Sequence, residues 1–557
     1  MEAASQSVPR PAPGRSKSSG LTAGIDIGTT AVKVVVVDAE GRVLERKRIS
    51  SKLVVSAGGR FEHDALSTWW ESPRRALHQA LEVHDVEAVA VSAMMPSVGA
   101  VDARGRPVGP GLLYGDSRGS VTGDGDGANH GDGANHGDSG NHGDSGNRGD
   151  RNGRRPLYGD TGGDPTTSDE MARLAAWAAS DFPHASGYWP AQAVANASLG
   201  GEGVIDLASA FAAGPLFNGM DWEASVCEGA GLRAGHMPRV AVFGQPLGVL
   251  GPGALPEGEG RRREVVLGAG SVDGFCEQLV AGAVEDGDVL VALGSTLVVW
   301  ACVATWPEQV VRGLWKVPHV VTGKAMVGGA SNAGGMWVDW VDRVLRPGVE
   351  VGGGGSWWRG HDPGGHDRGG YDRGGDDGGG GDDGGGNGRG GGGGDGDGAL
   401  RAGQVPLWWP WAKGERVPWH DPSLRITLRG ADLSHGPAAL RRAALEASGF
   451  VVRHIVELAA TAGVRPRRYI VSGGGVARPG WLQALAEVLG KPVVPMATPA
   501  SAALGAAWLA RVAAGLEVSL DDASRWARFA DPVEPRAEWA RAAAERYQLW
   551  AEQLPPR

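Results

Sequence analysis

Residues Ala23–Asp38 read AGIDIGTTAVKVVVVD, and this stretch decides the fold. An apolar run closes around Asp26, and a Gly28-Thr29-Thr30 corner follows. A second apolar run, Val32–Val37, then stands where a strand-to-helix phosphate loop would begin its helix. The pattern predicts strand, tight corner, strand. Such a corner offers backbone N–H groups and hydroxyls to phosphate oxygens, although Gly-Thr-Thr turns also occur in ordinary hairpins. About half a chain later, LVALGSTLVVW (Leu290–Trp300) repeats the pattern, with Gly294-Ser295-Thr296 at its corner. Two such hairpins predict two related units whose corners face each other across a cleft and clasp one polyphosphate. Asp26, just before the first corner, is placed to meet Mg2+, commonly through water. Two unrelated β-turns are the plainer alternative.

A third glycine segment, VSGGGVARPGWLQALAEVLG (Val471–Gly490), runs from a strand through Gly473-Gly474-Gly475 to a helix after Pro479. It matches no GxGxxG fingerprint, because its helix starts too late. Either the missing side chains make room for a flat base or ribose, or the segment is a strand-to-helix connection.

Working outward, VKVVVVDAEGRVLERKRI completes a three-stranded meander, ALSTWWESPRRALHQALEVH has helical spacing, and VEAVAVSAM is a buried strand. PAALRRAALEASGFVVRHIVELAATAG is a long amphipathic helix ending at Gly463. Two segments cannot bury a core. Gly123–Arg155 carries a six-residue Gly-Asp-Asn-His repeat without proline, which disfavours a collagen helix. Gly352–Gly398 is glycine with Asp, Arg and His. Both read as flexible inserts in surface loops, with weak metal binding by the His and Asp of the repeat as a lesser alternative.

At 557 residues the chain is too long for one core. Its net charge of −10 speaks against nucleic acid as main partner. Cys227, Cys276 and Cys302 form no CxxC pair, which suggests a reducing compartment without a disulfide frame. The first 20 residues lack the apolar stretch of a signal peptide, and no window suits a membrane span. A cytoplasmic location is the expectation.

The order strand-Asp-x-Gly-Thr-Thr-strand, Gly-Ser-Thr, strand-Gly-Gly-Gly resembles the sugar kinase, actin and heat-shock ATPase superfamily. Other segments narrow the resemblance to the FGGY carbohydrate kinases, which include xylulokinase, ribulokinase and glycerol kinase. VSAMMPSVGAVDARGRPVGPGLLYGDSRG resembles their sugar-site segment, and LGAGSVDGFCEQLVAGAVEDGDVLVALGST the stretch holding the catalytic aspartate and second corner. WAKGERVP resembles the Gly-Glu-Arg-x-Pro segment, and SGGGVARPGWLQALAEVLGKPV with ASAALGAAWLA the adenosine motif and closing helix. Outside the inserts, the resemblance covers roughly residues 22 to 513.

The resemblance implies an α/β fold of two actin-like (ribonuclease H-like) domains around a central cleft, with two disordered Gly-rich inserts. The expected division is a leader over 1–20, a sugar-side domain over 21–286 interrupted at 123–155, and a nucleotide-side domain over 287–513 interrupted at 347–400. A helical tail over 514–557 then packs on the second domain or mediates a homodimer. The implied reaction passes the γ-phosphoryl of ATP to a sugar, with no nucleic acid or membrane partner. Asp273 is the implied general base, although an aspartate at a helix start also fits an N-cap. Gly28, Thr29, Thr30, Gly294, Ser295 and Thr296 fall on the ATP phosphates. Lys33 either approaches the γ-phosphate or is an exposed strand lysine. Gly473, Gly474 and Gly475 fall on adenosine; Met95, Pro96, Asp116, Arg118 and Asp273 on the sugar; Asp26 on Mg2+. Two departures concern the sugar pocket. Met95-Pro96 stands where xylulokinases usually have Met-His, and Gly274 where asparagine is common. Glu277, one turn beyond Asp273, is a candidate compensation. A ketopentose such as D-xylulose is the expected acceptor. The alternatives are ribulose, glycerol or another polyol, a catalytically weak regulatory member, or a chaperone-like ATPase, the last disfavoured by the sugar-site segment.

Overall fold

A computed structural model describes residues 20–116 (except 57 and 58), 118, 170–256, 264–346 (except 308, 310 and 320–322) and 400–555 (except 422 and 498–500). The leader and both inserts lie outside the described residues, apart from Gly20 and Leu400.

The Ala23–Asp38 stretch folds as the predicted hairpin. β1 (Thr22–Ile27) pairs antiparallel with β2 (Ala31–Val37), and β2 with β3 (Val43–Ser50). β1 is buried along its whole length, as its unbroken apolar run requires. β3 alternates between half-buried and exposed residues, its charges marking a sheet edge. β4 (Ala88–Ala93) adds parallel to β1, followed by β6 (Val266–Gly268) and then β5 (Pro246–Val249), giving the order β3-β2-β1-β4-β6-β5.

The second sheet is built from β7 (Asp288–Leu293), β8 (Leu297–Val303), β9 (Trp315–Pro318), β10 (Ala325–Ser331), β11 (Arg468–Ser472) and β12 (Val493–Pro495), in the order β9-β10-β8-β7-β11-β12. Five strands of each sheet correspond. β10-β8-β7-β11-β12 repeats β3-β2-β1-β4-β6 in order and direction, with two antiparallel pairs followed by two parallel ones. The two corner motifs therefore occupy the same place in two copies of one topology. Met95 and Asp116 lie just outside two strands of a smaller antiparallel sheet in the first half, which orders Leu53–Val55, Phe61–His63, Pro107–Leu113, Ser97–Val101 and Gly187–Trp189.

Helix α1 (Ser72–Leu81) covers one face of the first sheet. α2 (Asp273–Ala281) and a late helix, Ala502–Ala513, fill the space between the two sheets, in a core that also takes Leu290, Trp300 and Ile470 from the second. Small residues permit this close packing. A Cβ on Gly24 of β1 would lie 1.8 Å from the Ala503 carbonyl oxygen, and one on Gly505 would lie 2.0 Å from that of Cys276. Cys227, Cys276 and Cys302 are free and buried.

The helices that follow the second corner are α3 (Gly335–Val344), α4 (Pro437–Thr461), α5 (Pro479–Leu489), α6, which is the Ala502–Ala513 helix, and α7 (Ala537–Ala551). The tail packs in two places. Trp526 donates its indole N–H to the Ala39 carbonyl of the first half, whereas Tyr547 and Trp550 of α7 enter the core of the second. A buried ionic network holds α7 there. Arg442 of α4 donates to Glu446 (2.8 Å) and to Glu487 of α5, and Arg546 of α7 donates twice to Glu446 at 2.7 Å. Among the described residues, no helix is long and apolar enough to cross a membrane.

Candidate active site

The site grows from the first corner. Hairpin register sets Asp26 directly opposite Lys33, and their side chains form an ion pair at 3.1 Å. Lys33 is an exposed strand lysine whose Nζ is held at Asp26 beside the corner, and Asp26 keeps its ammonium protonated to higher pH than usual. Thr29 is buried and fastened twice. Its hydroxyl meets the Tyr114 hydroxyl at 2.7 Å, and its carbonyl accepts from His63 Nε2 at 2.7 Å. The other imidazole nitrogen, Nδ1, accepts the indole N–H of Trp69 at 3.0 Å. A carbonyl only accepts and an indole only donates, so the proton of His63 is fixed on Nε2. Burial holds this imidazole neutral, with its pKa pushed down to about 4.

Asp273 is carried to the same edge by backbone pairing. Ile27 pairs with Ala93 and Ala93 bridges to Val272, so one rung beyond the sheet lie Gly28, Met94 and Asp273. Asp273 opens α2, and its Oδ1 accepts the Gly274 N–H at 2.7 Å. Its Oδ2 takes no partner among the described residues. Burial, and then the nearby Asp26 carboxylate, raise its pKa to about 7, against a smaller opposing pull from Arg416 and Lys33. Glu277, one turn on, is pushed up to about 8 by burial and by Asp273 and Asp26. Three acids therefore share one field, and Lys33 acts on all of them.

The second corner is held by a helix. Gly335 and Met336 at the start of α3 donate their N–H groups to the carbonyls of Gly294 and Ser295, at 2.8 and 3.0 Å. The hydroxyls of Thr30, Ser295 and Thr296 make no hydrogen bond among the described residues and remain available to an anion. The triple glycine packs onto this corner. A Cβ on Gly473 would meet the Leu293 carbonyl at 2.7 Å, and one on Gly475 would meet the Leu293 side chain at 2.5 Å. Only Gly474 faces open space. Two of these glycines thus serve close packing, and one leaves bare backbone exposed beside the corner.

In the sugar-site segment, the Asp116 carboxylate is buried and fully engaged. It accepts from the Phe61 N–H at 2.9 Å and from the Arg118 guanidinium at 2.7 and 3.0 Å. Arg118 also bonds Glu62 and lies 4.2 Å over the Trp177 ring. Met95 and Pro96 are buried, and Met95 belongs to an apolar cluster that reaches Val272, next to Asp273. A Cβ on Gly274 would lie 3.9 Å from Trp300 Nε1, so there is room for a side chain there.

The two halves meet through the WAKGERVP segment, whose resemblance to the Gly-Glu-Arg-x-Pro segment gave its individual residues no role. Glu415, buried, accepts from Ser331 Oγ and Asn332 N–H at 2.9 Å each, pinning residues 413–417 to the end of β10. From that anchor Arg416 reaches back between the Tyr114 and Trp315 rings, at 5.2 and 5.4 Å, and Lys413 lies 3.3 Å over the Phe61 ring. Tyr114 stands within the quoted GLLYGDSRG, whereas His63, in a three-residue strand, carries no sequence signal of its own.

Among the described residues, no group of three His, Cys, Asp or Glu side chains is placed to hold a metal. Asp26 beside the Gly28-Thr29-Thr30 corner instead suits a divalent cation that brings its other oxygen ligands with it.

Comparison with known proteins gives two family matches. The model for the N-terminal domain of the FGGY family of carbohydrate kinases matches residues 21–124, and that for its C-terminal domain matches residues 398–514. The xylulose kinase of Escherichia coli (strain K12) is 34% identical over 117 residues, 21% of this chain and 24% of its own length. The chain thus aligns with only about a quarter of that curated relative. The gluconokinase of Bacillus subtilis (strain 168) is 24% identical over 516 residues, covering 90% of this chain and 89% of its own. In fold, the chain matches the xylulose kinase of Rhodospirillum rubrum with a TM-score of 0.66 at 20% identity, over 96% and 98% of the two chains. It matches Plasmodium falciparum glycerol kinase with ADP at 0.67 and 12% identity, over 96% and 98%.

Proposed function

The chain belongs to the FGGY family of carbohydrate kinases, and from that premise we propose that it transfers the γ-phosphoryl of ATP to a hydroxyl of a sugar, a ketopentose such as D-xylulose, with Asp273 as general base. The observation that carries the reading is the rung Gly28–Met94–Asp273, which sets a carboxylate with one unpartnered oxygen beside the Gly28-Thr29-Thr30 corner. The acceptor hydroxyl gives its proton to Asp273 Oδ2 as the phosphoryl arrives. Thr30, Ser295 and Thr296 hydroxyls and the corner N–H groups align the phosphates, and Arg416 and Lys33 offset charge near the reacting oxygens. Gly474 offers the adenosine its bare backbone. Asp26 would hold Mg2+ brought with ATP, which would supply charge neutralisation at the phosphates. Met95, Pro96 and Arg118 shape the acceptor end; Asp116 acts there by fixing Arg118.

The test is coupled ADP release with ATP, Mg2+ and a panel of D-xylulose, D-ribulose, glycerol and gluconate. Turnover stimulated by D-xylulose above the others supports the whole reading. Stimulation by another member keeps the kinase and replaces the acceptor, and gluconate is included because the gluconokinase relative spans most of this chain. Nucleotide binding with no stimulation by any of them favours a regulatory member.

The base also sets a pH dependence. A carboxylate titrating near 7 accepts a proton only when ionised. kcat/KM is therefore expected to fall about tenfold per pH unit below about 7. A profile flat from pH 5.5 to 8 removes Asp273 from that role.

A further inference from the structure

We propose that the three-residue strand Phe61-Glu62-His63, together with Tyr114, is a relay that couples acceptor binding to the phosphate corner. This rests on the kinase reading and goes beyond it. Each residue of the strand makes one link. Phe61 gives its N–H to the Asp116 carboxylate at 2.9 Å, Glu62 pairs with the Arg118 guanidinium, and His63 donates to the Thr29 carbonyl at 2.7 Å. All three residues are buried. Tyr114, two residues before Asp116, closes the loop through the 2.7 Å contact of its hydroxyl with that of Thr29, and Arg416 of the other half lies 5.2 Å over its ring. Thr29 is thereby gripped at both its side chain and its carbonyl by elements whose other ends hold the sugar-site segment.

The physical consequence is linkage. An acceptor that orders Tyr114, Asp116 and Arg118 also orders Thr29 through bonds with no slack. The entropy of fixing the corner is then spent before ATP arrives, and ATP binds more tightly. By reciprocity, a nucleotide held at the corner tightens the acceptor by the same factor. Tyr114 and His63 are positioning residues in this scheme and touch neither reacting atom.

The test is calorimetric titration of a non-hydrolysable ATP analogue with Mg2+, with and without saturating D-xylulose or whichever panel acceptor proves best. In the wild type the acceptor is expected to lower the analogue Kd by about fivefold or more, within the usual range for coupled sites. In Tyr114→Phe, which deletes one oxygen, that factor is expected to fall below about twofold while each ligand still binds alone. If Tyr114→Phe fails to fold, His63→Gln reports the same factor from the other anchor. A wild-type factor of one, or one unchanged in the variant, overturns the relay. Failure of the kinase reading is distinct, because the wild type would then phosphorylate no acceptor at all.

Discussion

Asp273→Asn is expected to lower kcat by about 10²- to 10⁴-fold, the range for losing a general base, with little change in the affinity for ATP. Asparagine keeps the shape of the side chain and can still face the Gly274 N–H with its oxygen, so the start of α2 and the sheet edge are preserved. What disappears is the capacity of Oδ2 to take a proton. Stability is expected to move the other way. The folded protein holds Asp273 at about 7, far above the ordinary carboxylate value, so between those two pH values the native state binds more protons than the unfolded chain. Asp273 stability is therefore fully present at low pH and is lost as pH rises towards 7. A neutral amide does not incur that loss, so the variant should melt no lower than the wild type at pH 8 by differential scanning calorimetry. A variant that is both inactive and strongly destabilised would mean that the lost activity reflects a damaged fold and would leave Asp273 without the role of base.

The second large effect concerns stability. Glu446→Ala is expected to destabilise the second half by about 3–5 kcal/mol, because it leaves buried charges without their partner. Glu446 accepts from Arg442 on its own helix and twice from Arg546 on α7, and all three residues are buried. Arg442 retains Glu487, but Arg546 keeps only the Ala402 carbonyl. α7 should then detach first, exposing Tyr547 and Trp550. The measurement is limited proteolysis with mass mapping, alongside urea unfolding followed by tryptophan fluorescence. Early cleavage between Ala527 and the C-terminus is the expected signature, and a midpoint equal to the wild type would show that the network contributes nothing net.

The fold was readable from Ala23–Asp38 because period and punctuation there agree. An apolar run, a glycine corner and a second apolar run without helical spacing admit one local structure, and its recurrence at Leu290–Trp300 announced the duplicated sheets. The residues of the first corner, Asp26, Lys33 and Asp273 were likewise visible as types at defined places in a motif. The roles of Tyr114, His63, Lys413 and Arg416 were not, for a common reason. Their contribution lies in partners 34 to 352 positions away in the chain, from His63 with Thr29 to Lys413 with Phe61.

By itself, then, the sequence determined the strands and the two corners, which follow from local pattern, and carried the resemblance to the family. Only the tertiary structure decided which glycines of Gly473-Gly475 are packing and which is open, that Asp116 is engaged with Arg118 and Phe61, and that Thr29 is gripped from both sides. These properties depend on close approach and on hydrogen-bond partners brought in by other strands, and a one-dimensional pattern carries neither.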